Sequence, residues 1–183
     1  EQPIEILKLA GVIMGRREPK GWNQNSVEVD FYDMKGVVES LFNRISIDRY
    51  SVEVGEHFAM HPGKTAVFKK GKDILATVGE IHPAVAAAFN ISKKMYVFEA
   101  DVATLLKYTA KNFKYESLPK YPAITRDLAI LVDIDVAAGE VEKIIAKNGG
   151  QHFSSVTLFD VYTGDRIAND KKSLAFNIKF QSN

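Results

Sequence analysis

Three short segments near the end of the chain alternate apolar and other residues, and this alternation restricts the fold more than any other feature of the sequence. Residues 126–133, 156–162 and 173–180 show the period of two that is typical of strands. Between the first two segments, apolar residues recur at the spacing of a helix, which we expect Asp135 to cap and Gly149 to end. The predicted order is therefore strand, helix, strand, strand.

This order is three quarters of a split βαβ, or ferredoxin-like, unit. Because side chains alternate across a strand, the predicted sheet has two faces. We expect one face to pack on the helix: Leu128, Ile130, Val132, Phe159, Val161, Leu174, Phe176, Ile178 and Phe180. The opposite face would then carry Ala129, Leu131, Val156, Leu158, Asp160, Tyr162, Ser173, Ala175, Asn177 and Lys179.

The second of these faces is the most informative candidate site. A tyrosine on an open sheet can stack a nucleobase, and a carboxylate beside it can accept hydrogen bonds from guanine. Tyr162 and Asp160 provide these two groups, with small residues around them. The alternative is a face covered by another protein domain, in which Tyr162 only fills the contact. The residue pattern alone leaves both alternatives open.

The first part of the chain has less regular patterns. Its periodicity predicts strands near residues 4–14, 50–54, 66–68, 74–81 and 96–100, and helices near 31–45, 83–89 and 102–106. A Lys- and Tyr-rich stretch with two prolines follows and indicates a linker. We therefore predict an α+β protein with a first domain at 1–112, a linker at 113–122 and a ferredoxin-like domain at 123–183. The second domain would be truncated, because its last helix and strand are absent from the sequence.

Composition excludes several classes of protein. The sequence has no Cys, which excludes disulfides and thiolate metal sites. Its 24 basic and 23 acidic residues leave no basic excess of the kind a non-specific nucleic-acid binder needs. No apolar run reaches membrane-spanning length, so we expect a soluble, cytoplasmic protein without membrane contact. The start of the chain, which lacks Met, looks like that of an excised piece.

The motifs that could carry enzyme chemistry are weak. Gly63-Lys64-Thr65 imitates the end of a phosphate-binding loop, but Phe58 stands where the first glycine should be. His57 and His61 have a spacing that could bind a metal on a helix, yet Pro62 follows at once and no third ligand is evident. We predict no catalytic residue and no metal ligand, with a metal-dependent enzyme using the two histidines as a remote alternative.

Several motifs, taken together, resemble one known family. The runs 121–130, 158–167 and 171–180 resemble the ferredoxin-fold anticodon-binding domain of the bacterial phenylalanyl-tRNA synthetase β chain. The runs 11–24, 29–41, 60–68 and 78–91 resemble the class II synthetase-like, non-catalytic domain that precedes it in that family. The first sheet is accordingly expected to be mixed or antiparallel. Arg16-Arg17-Glu18 lies in a predicted loop after the first strand, and the domain shows no ATP-binding motif of the usual form. We therefore interpret these three residues as a vestige or a surface feature and not as a nucleotide clamp.

The resemblance implies a function and a set of residues. The family's heterotetramer of two α and two β chains uses ATP and magnesium to attach phenylalanine to its tRNA, with the active site in the α chain. Its terminal β domain binds the first anticodon base, a guanine. Carried over by motif, the RNA-binding residues are Ala129, Asp160, Tyr162 and Ser173. No cofactor is expected in this piece, and an assembly scaffold without RNA contact is the alternative function.

Overall fold

The structure is a computed structural model that describes residues 3–23, 26–110 and 118–182. The chain divides into two compact units, residues 1–113 and 114–183. Residues 113–117 of the predicted linker lie outside the described residues. In the described ranges, no helix has both the length and the apolar content needed to cross a membrane.

The first unit is built on one five-stranded sheet with the strand order β1-β5-β4-β3-β2. Every pairing in it is antiparallel, so of the two expected forms, mixed or antiparallel, the sheet is antiparallel. Its elements are β1 (Lys8–Met14), α1 (Phe31–Arg44), β2 (Ser51–Val54), β3 (Met60–Lys70), β4 (Asp73–Ile81), α2 (Pro83–Ala88), β5 (Met95–Asp101) and α3 (Val102–Tyr108).

The core of this unit lies between the sheet and helices α1 and α3. Helix α1 buries Met34, Val38 and Phe42, which recur at the helical spacing of four residues. The Phe42 ring packs edge-on against Phe68 of β3, with 5.3 Å between ring centroids. Leu105 of α3 joins the same cluster. Burial of one helical stripe against the sheet thus determines where α1 lies.

The predicted strand at 4–14 was placed too early and was wrong about burial. Strand β1 begins only at Lys8, and Ile4 and Ile6 are 90% and 62% exposed. The apolar alternation of these residues is real, but it does not correspond to a buried strand.

The second unit contains β6 (Ile124–Asp133), α4 (Ala138–Asn148), β7 (Phe153–Tyr162) and β8 (Lys171–Phe180). These strands form a three-stranded antiparallel sheet with β8 in the centre. Its core joins Val141 of α4 to three buried residues of the central strand, Leu174, Phe176 and Ile178. The predicted order strand, helix, strand, strand is the observed one.

One strand of this sheet does not follow the predicted alternation. Val161 lies on the predicted core face, opposite Leu174, but is 51% exposed. Phe159 was expected in the core but is 58% exposed, and the half-buried Val156 and Leu158, which were expected on the opposite face, pack against the core instead. The reason is an irregularity in the pairing of β7 with β8: Leu158 lies opposite Phe176, whereas Asp160 lies opposite the next residue, Ala175. Phe159 is therefore an extra, bulged residue, and the two halves of β7 differ in phase.

The predicted cap of helix α4 was also wrong. The N-cap is Ala137, which makes no side-chain hydrogen bond, and not Asp135. The predicted end was confirmed, because Gly149 is the C-cap and Gly150 has a φ of +77°. This left-handed backbone favours glycine directly after a helix.

Candidate nucleic-acid interface

The face of the second sheet that points away from its core forms the candidate site, and we call it the open face. On β8 it consists of the residues that alternate with the buried Leu174, Phe176 and Ile178. Strand pairing extends each of these residues into a row across the sheet. The rows are Leu131-Ser173-Tyr162, Ala129-Ala175-Asp160, Asp127-Asn177-Thr157 and Thr125-Lys179-Ser155.

All the residues expected to contact RNA lie in the first two rows. Tyr162 pairs with Ser173, and Asp160 is separated from Ala129 only by Ala175. Neighbouring strands are about 4.8 Å apart and successive residues on one face about 6.7 Å apart. The structure therefore brings Ala129, Asp160, Tyr162 and Ser173 into one continuous patch.

Tyr162 is positioned for contact with a ligand. Its side chain is on the face opposite Phe176 and is 41% exposed. Within the described part of the chain, its hydroxyl has no hydrogen-bond partner. The phenol end lies directly over Gly164, in the turn that follows β7. The side chain is thus partly exposed, and its phenol end lies against this turn.

The two alanines of the second row have short side chains, which project little from the sheet surface. Ala129 and Ala175 are paired across β6 and β8, and Asp160 continues their row on β7. Methyl side chains leave room for a flat group to approach the sheet. Asp160 is exposed, so its carboxylate oxygens are accessible to hydrogen-bond donors beside the ring.

Sequence reasoning missed part of the open face. Asp127 lies on it, and its Oδ1 accepts a hydrogen bond of 2.7 Å from Nδ2 of Asn177. Thr125, Ser155 and Thr157 also lie there. Counting back two and four residues from Ala129 would have found Asp127 and Thr125. The two β7 residues were hidden by the bulge.

The histidine pair has structural contacts. Nδ1 of His57 accepts from the backbone N–H of Ala59 at 3.3 Å, and Nδ1 of His61 accepts from that of Gly63 at 3.1 Å. Across the three described ranges, no group of three or more His, Asp or Glu side chains could hold a metal ion.

The phosphate-loop imitation also has a structural explanation. Residues 63–65 belong to strand β3 and not to a loop before a helix. Nζ of Lys64 forms a 2.7 Å ion pair with Glu80 on the neighbouring strand β4, and this contact raises the pKa of Lys64. The lysine is therefore already paired with a carboxylate.

Arg17 connects the loop after β1 to the start of helix α1. Its Nη2 donates a 3.0 Å hydrogen bond to Oδ2 of Asp33, and its Nε lies 2.8 Å from Oδ1 of the same carboxylate in an ion pair. Asp33 also accepts from the backbone N–H of Asp30, which forms a capping box with it. The hydrogen bond from Arg17 is the largest cause that lowers the pKa of Asp33.

Comparison with known proteins identifies the class of each unit. Residues 119–183 match the ferredoxin-fold anticodon-binding domain, so the second unit has the fold predicted for it. Residues 1–102 match the phenylalanyl tRNA synthetase beta chain CLM domain. The chain therefore belongs to the phenylalanyl-tRNA synthetase β chain family, which confirms the resemblance.

Curated relatives named phenylalanine–tRNA ligase beta subunit support this assignment. The relative from Syntrophotalea carbinolica is 38% identical over 98% of this chain, and the one from Lactiplantibacillus plantarum is 40% identical over 98%. The relative from Bacillus subtilis is 34% identical over the same share. The chain spans only 22% of the length of each of these relatives.

Proposed function

We propose that this chain is part of the β subunit of a phenylalanine–tRNA ligase and that its open face binds the tRNA anticodon without carrying out the chemistry. Family membership supports the first statement. The observation that carries the second is the placement of Ala129, Asp160, Tyr162 and Ser173 in two adjacent rows of an exposed sheet face.

In this proposal the first anticodon base, a guanine, stacks on the accessible side of Tyr162. Asp160, one row away, accepts hydrogen bonds from the donors on the edge of the guanine. The Ala129 and Ala175 methyl groups allow the base to lie close to the sheet. Ser173, directly opposite Tyr162, supplies a hydroxyl that can donate or accept. Binding here positions a tRNA whose acceptor end reaches a distant active site.

The remaining parts of the proposal concern the whole enzyme. The β chain would assemble with a synthetase α chain as a cytoplasmic heterotetramer of two α and two β chains. ATP and magnesium would act in the α chain, where phenylalanine is attached to its tRNA. The first unit would be a class II synthetase-like domain that contributes packing between subunits. Its antiparallel sheet, with α1 and α3 in one core, supports this part.

A protein contact is the second candidate function of the open face. Leu131 favours it, because this apolar side chain is 56% exposed in the same row as Ser173 and Tyr162. In this case both units would serve only in assembly.

The decisive experiment measures binding of the 183-residue chain to phenylalanine tRNA and to a copy with a changed first anticodon base. We expect tighter binding to the unchanged tRNA. Tyr162→Ala should weaken binding by about 5- to 150-fold, the range for one base stacked on an aromatic ring, whereas Tyr162→Phe should retain most of it.

A matched control is Tyr32→Ala, because Tyr32 is an exposed tyrosine of helix α1 in the other unit. It should leave RNA binding unchanged. Equal affinity for both tRNAs would remove base recognition from the proposal. An unchanged Tyr162→Ala variant would remove stacking and favour the protein contact.

A further inference from the structure

A cleft of about 310 Å³ lies on the face of the first sheet that points away from helices α1 and α3. We infer that this cleft binds a small molecule in which an aromatic ring is joined to a positively charged amine. Its volume is at the lower end of the range of ligand sites, which favours a ligand of this size. The cleft belongs to the first unit, so the inference is independent of the RNA contact proposed for the second.

The floor of the cleft consists of paired residues of β1 and β5. Ala10 pairs with Glu99, and Val12 pairs with Val97. Phe98, between the two β5 residues, is buried in the core that contains α1 and α3, so alternation directs these four side chains to the opposite face. Val12 is 57% exposed there. The floor is therefore an accessible apolar surface with a carboxylate beside it.

The start of β3 and the loop before it form a wall of the cleft. Sδ of Met60 lies 3.0 Å from the position that a Cβ on Gly79 would occupy, and Gly79 pairs with Val97. Because Gly79 has no side chain, the Met60 thioether packs onto this face of the sheet, next to the floor. Ala59 and His57 complete the wall. A thioether makes favourable contacts with aromatic rings, so wall and floor together suit an aromatic ligand.

His57 adds a flat surface to this wall. Its Nδ1 accepts a hydrogen bond from the backbone N–H of Ala59, which fixes the orientation of the imidazole. The Phe58 ring supports it, with 4.6 Å between ring centroids and 31° between ring planes. An imidazole held in this way can pack against the ring of a ligand.

The charges beside the floor favour a cation. Nζ of Lys8 lies 3.4 Å from Oε1 of Glu99 and 3.9 Å from Oδ2 of Asp101. Both distances exceed the length of about 2.7–2.9 Å that is typical of a charge-assisted hydrogen bond. One ammonium group is thus shared between two carboxylates, and a ligand amine would balance the remaining negative charge. A carboxylate on the ligand would be repelled by Glu99 and Asp101, so the site favours a simple amine over an amino acid.

The test is an NMR titration of the 183-residue chain with phenethylamine. We expect saturable shifts at the backbone amides of Ala10, His57 and Val97. Phenylpropionate has the same ring with a carboxylate in place of the amine, and L-phenylalanine has the amine with an added carboxylate. Each should bind at least about fivefold more weakly, the effect of one partly exposed charge pair. Butylamine, which lacks the ring, should also bind more weakly.

Three variants test the residues of the cleft. Glu99→Gln should weaken phenethylamine binding by about fivefold, because the carboxylate that attracts the amine is lost. Lys8→Met should strengthen binding, because it removes the competing ammonium group, and a variant that only disturbs folding would not have this effect. Ala10→Phe should abolish binding by filling the cleft. Glu140→Gln, at an exposed position of α4 in the other unit, is the matched control and should leave binding unchanged.

Several results would overturn the inference. One is the absence of saturable shifts up to about 10 mM phenethylamine, an affinity expected even of a poorly optimised ligand of this size. Equal binding of phenethylamine and phenylpropionate would remove the role of charge. Unchanged affinity in both Glu99→Gln and Lys8→Met would remove these residues from the site. Shifts confined to residues outside the cleft would place the ligand elsewhere.

Discussion

The phenol group of Tyr162 occupies the space that a side chain on Gly164 would need. An ideal Cβ on residue 164 would lie 2.5 Å from Oη and 2.7 Å from Cζ of Tyr162. The backbone of Gly164 is not in the left-handed region, so a side chain at residue 164 would conflict with the Tyr162 ring and not with the backbone conformation. The ring therefore lies against the turn after β7, where only a residue without a side chain leaves it this space.

The first prediction concerns this contact. Gly164→Ala should force the Tyr162 ring to move, because a Cβ atom does not come within 3.0 Å of a heavy atom to which it is not bonded. The ring is the far end of an exposed side chain, so the free energy of unfolding should change by no more than about 0.5 kcal/mol. Affinity for phenylalanine tRNA should fall towards that of Tyr162→Ala. Binding titrations and denaturant unfolding measure the two effects.

Gly139→Ala is the control for this prediction. Gly139 lies in helix α4, and a Cβ there would have no heavy atom within 4 Å. Alanine should stabilise the helix by up to about 1 kcal/mol and leave RNA affinity unchanged. Full RNA affinity in Gly164→Ala would show that the position of the Tyr162 ring does not matter for binding.

The second prediction tests the bulge in β7. Leu158→Ala removes a half-buried side chain that packs in the core and should cost about 2 kcal/mol of unfolding free energy. Phe159→Ala removes a larger but 58% exposed side chain and should cost no more than about 0.5 kcal/mol. Denaturant unfolding of both variants gives the comparison. If Phe159→Ala costs more unfolding free energy than Leu158→Ala, the side chains of β7 alternate regularly and the bulge is wrong.

The same bulge shows where sequence reasoning stops. The regular alternation of β8 predicted the placement of Leu174, Phe176 and Ile178, which are buried. Alternation in β7 failed from Val156 to Phe159, because one inserted residue exchanges the two faces of the strand. The hydrophobicity pattern of the sequence does not reveal such an insertion. Asp160 and Tyr162 come after the insertion, so their predicted face agrees with the observed pairing.

At the helix ends, too, residue type agrees with the structure in one case and not in another. His82 is the N-cap of α2, and its Nδ1 accepts from the backbone N–H of Ala84. Asp135 has the side chain of a typical N-cap, yet α4 begins at Ala138. Residue type identifies possible caps, but it did not select the residue at which α4 begins.

The third prediction concerns the histidine pair. One equivalent of zinc should leave the unfolding midpoint of the protein unchanged, because Nδ1 of both His57 and His61 already accepts a backbone hydrogen bond. Native mass spectrometry should find no zinc retained at this ratio. If stoichiometric zinc is retained and then lost in His61→Ala, a metal site exists there after all.

The fourth prediction concerns the stability of the two units at low pH. Among the described residues, the carboxyl groups whose pKa is lowered are Asp33, Asp48, Asp73 and Asp101, and all of them belong to the first unit. Asp48 and Asp73 are held by hydrogen bonds from Lys70 and Lys107, and Asp101 by the backbone N–H of Thr104.

The sign of the effect follows from proton linkage. A carboxyl whose pKa is lower in the folded state stabilises that state above its unfolded pKa of about 3.9. This stability is lost as the pH falls through the folded pKa. We therefore expect the first unit to lose more stability than the second when the pH is lowered from about 5 to about 2. Hydrogen exchange followed by mass spectrometry can report each unit separately.

Asp33→Asn isolates one contribution to this acid effect. The variant should be less stable than the wild type near neutral pH, because the carboxylate that accepts from Arg17 and Asp30 is lost. The difference should shrink as the pH falls, since the wild-type carboxyl is then protonated as well. Glu5→Gln, at an exposed position, is the control and should follow the wild type throughout. A stability difference that stays constant down to about pH 2 would mean that Asp33 acts through packing and not through its charge.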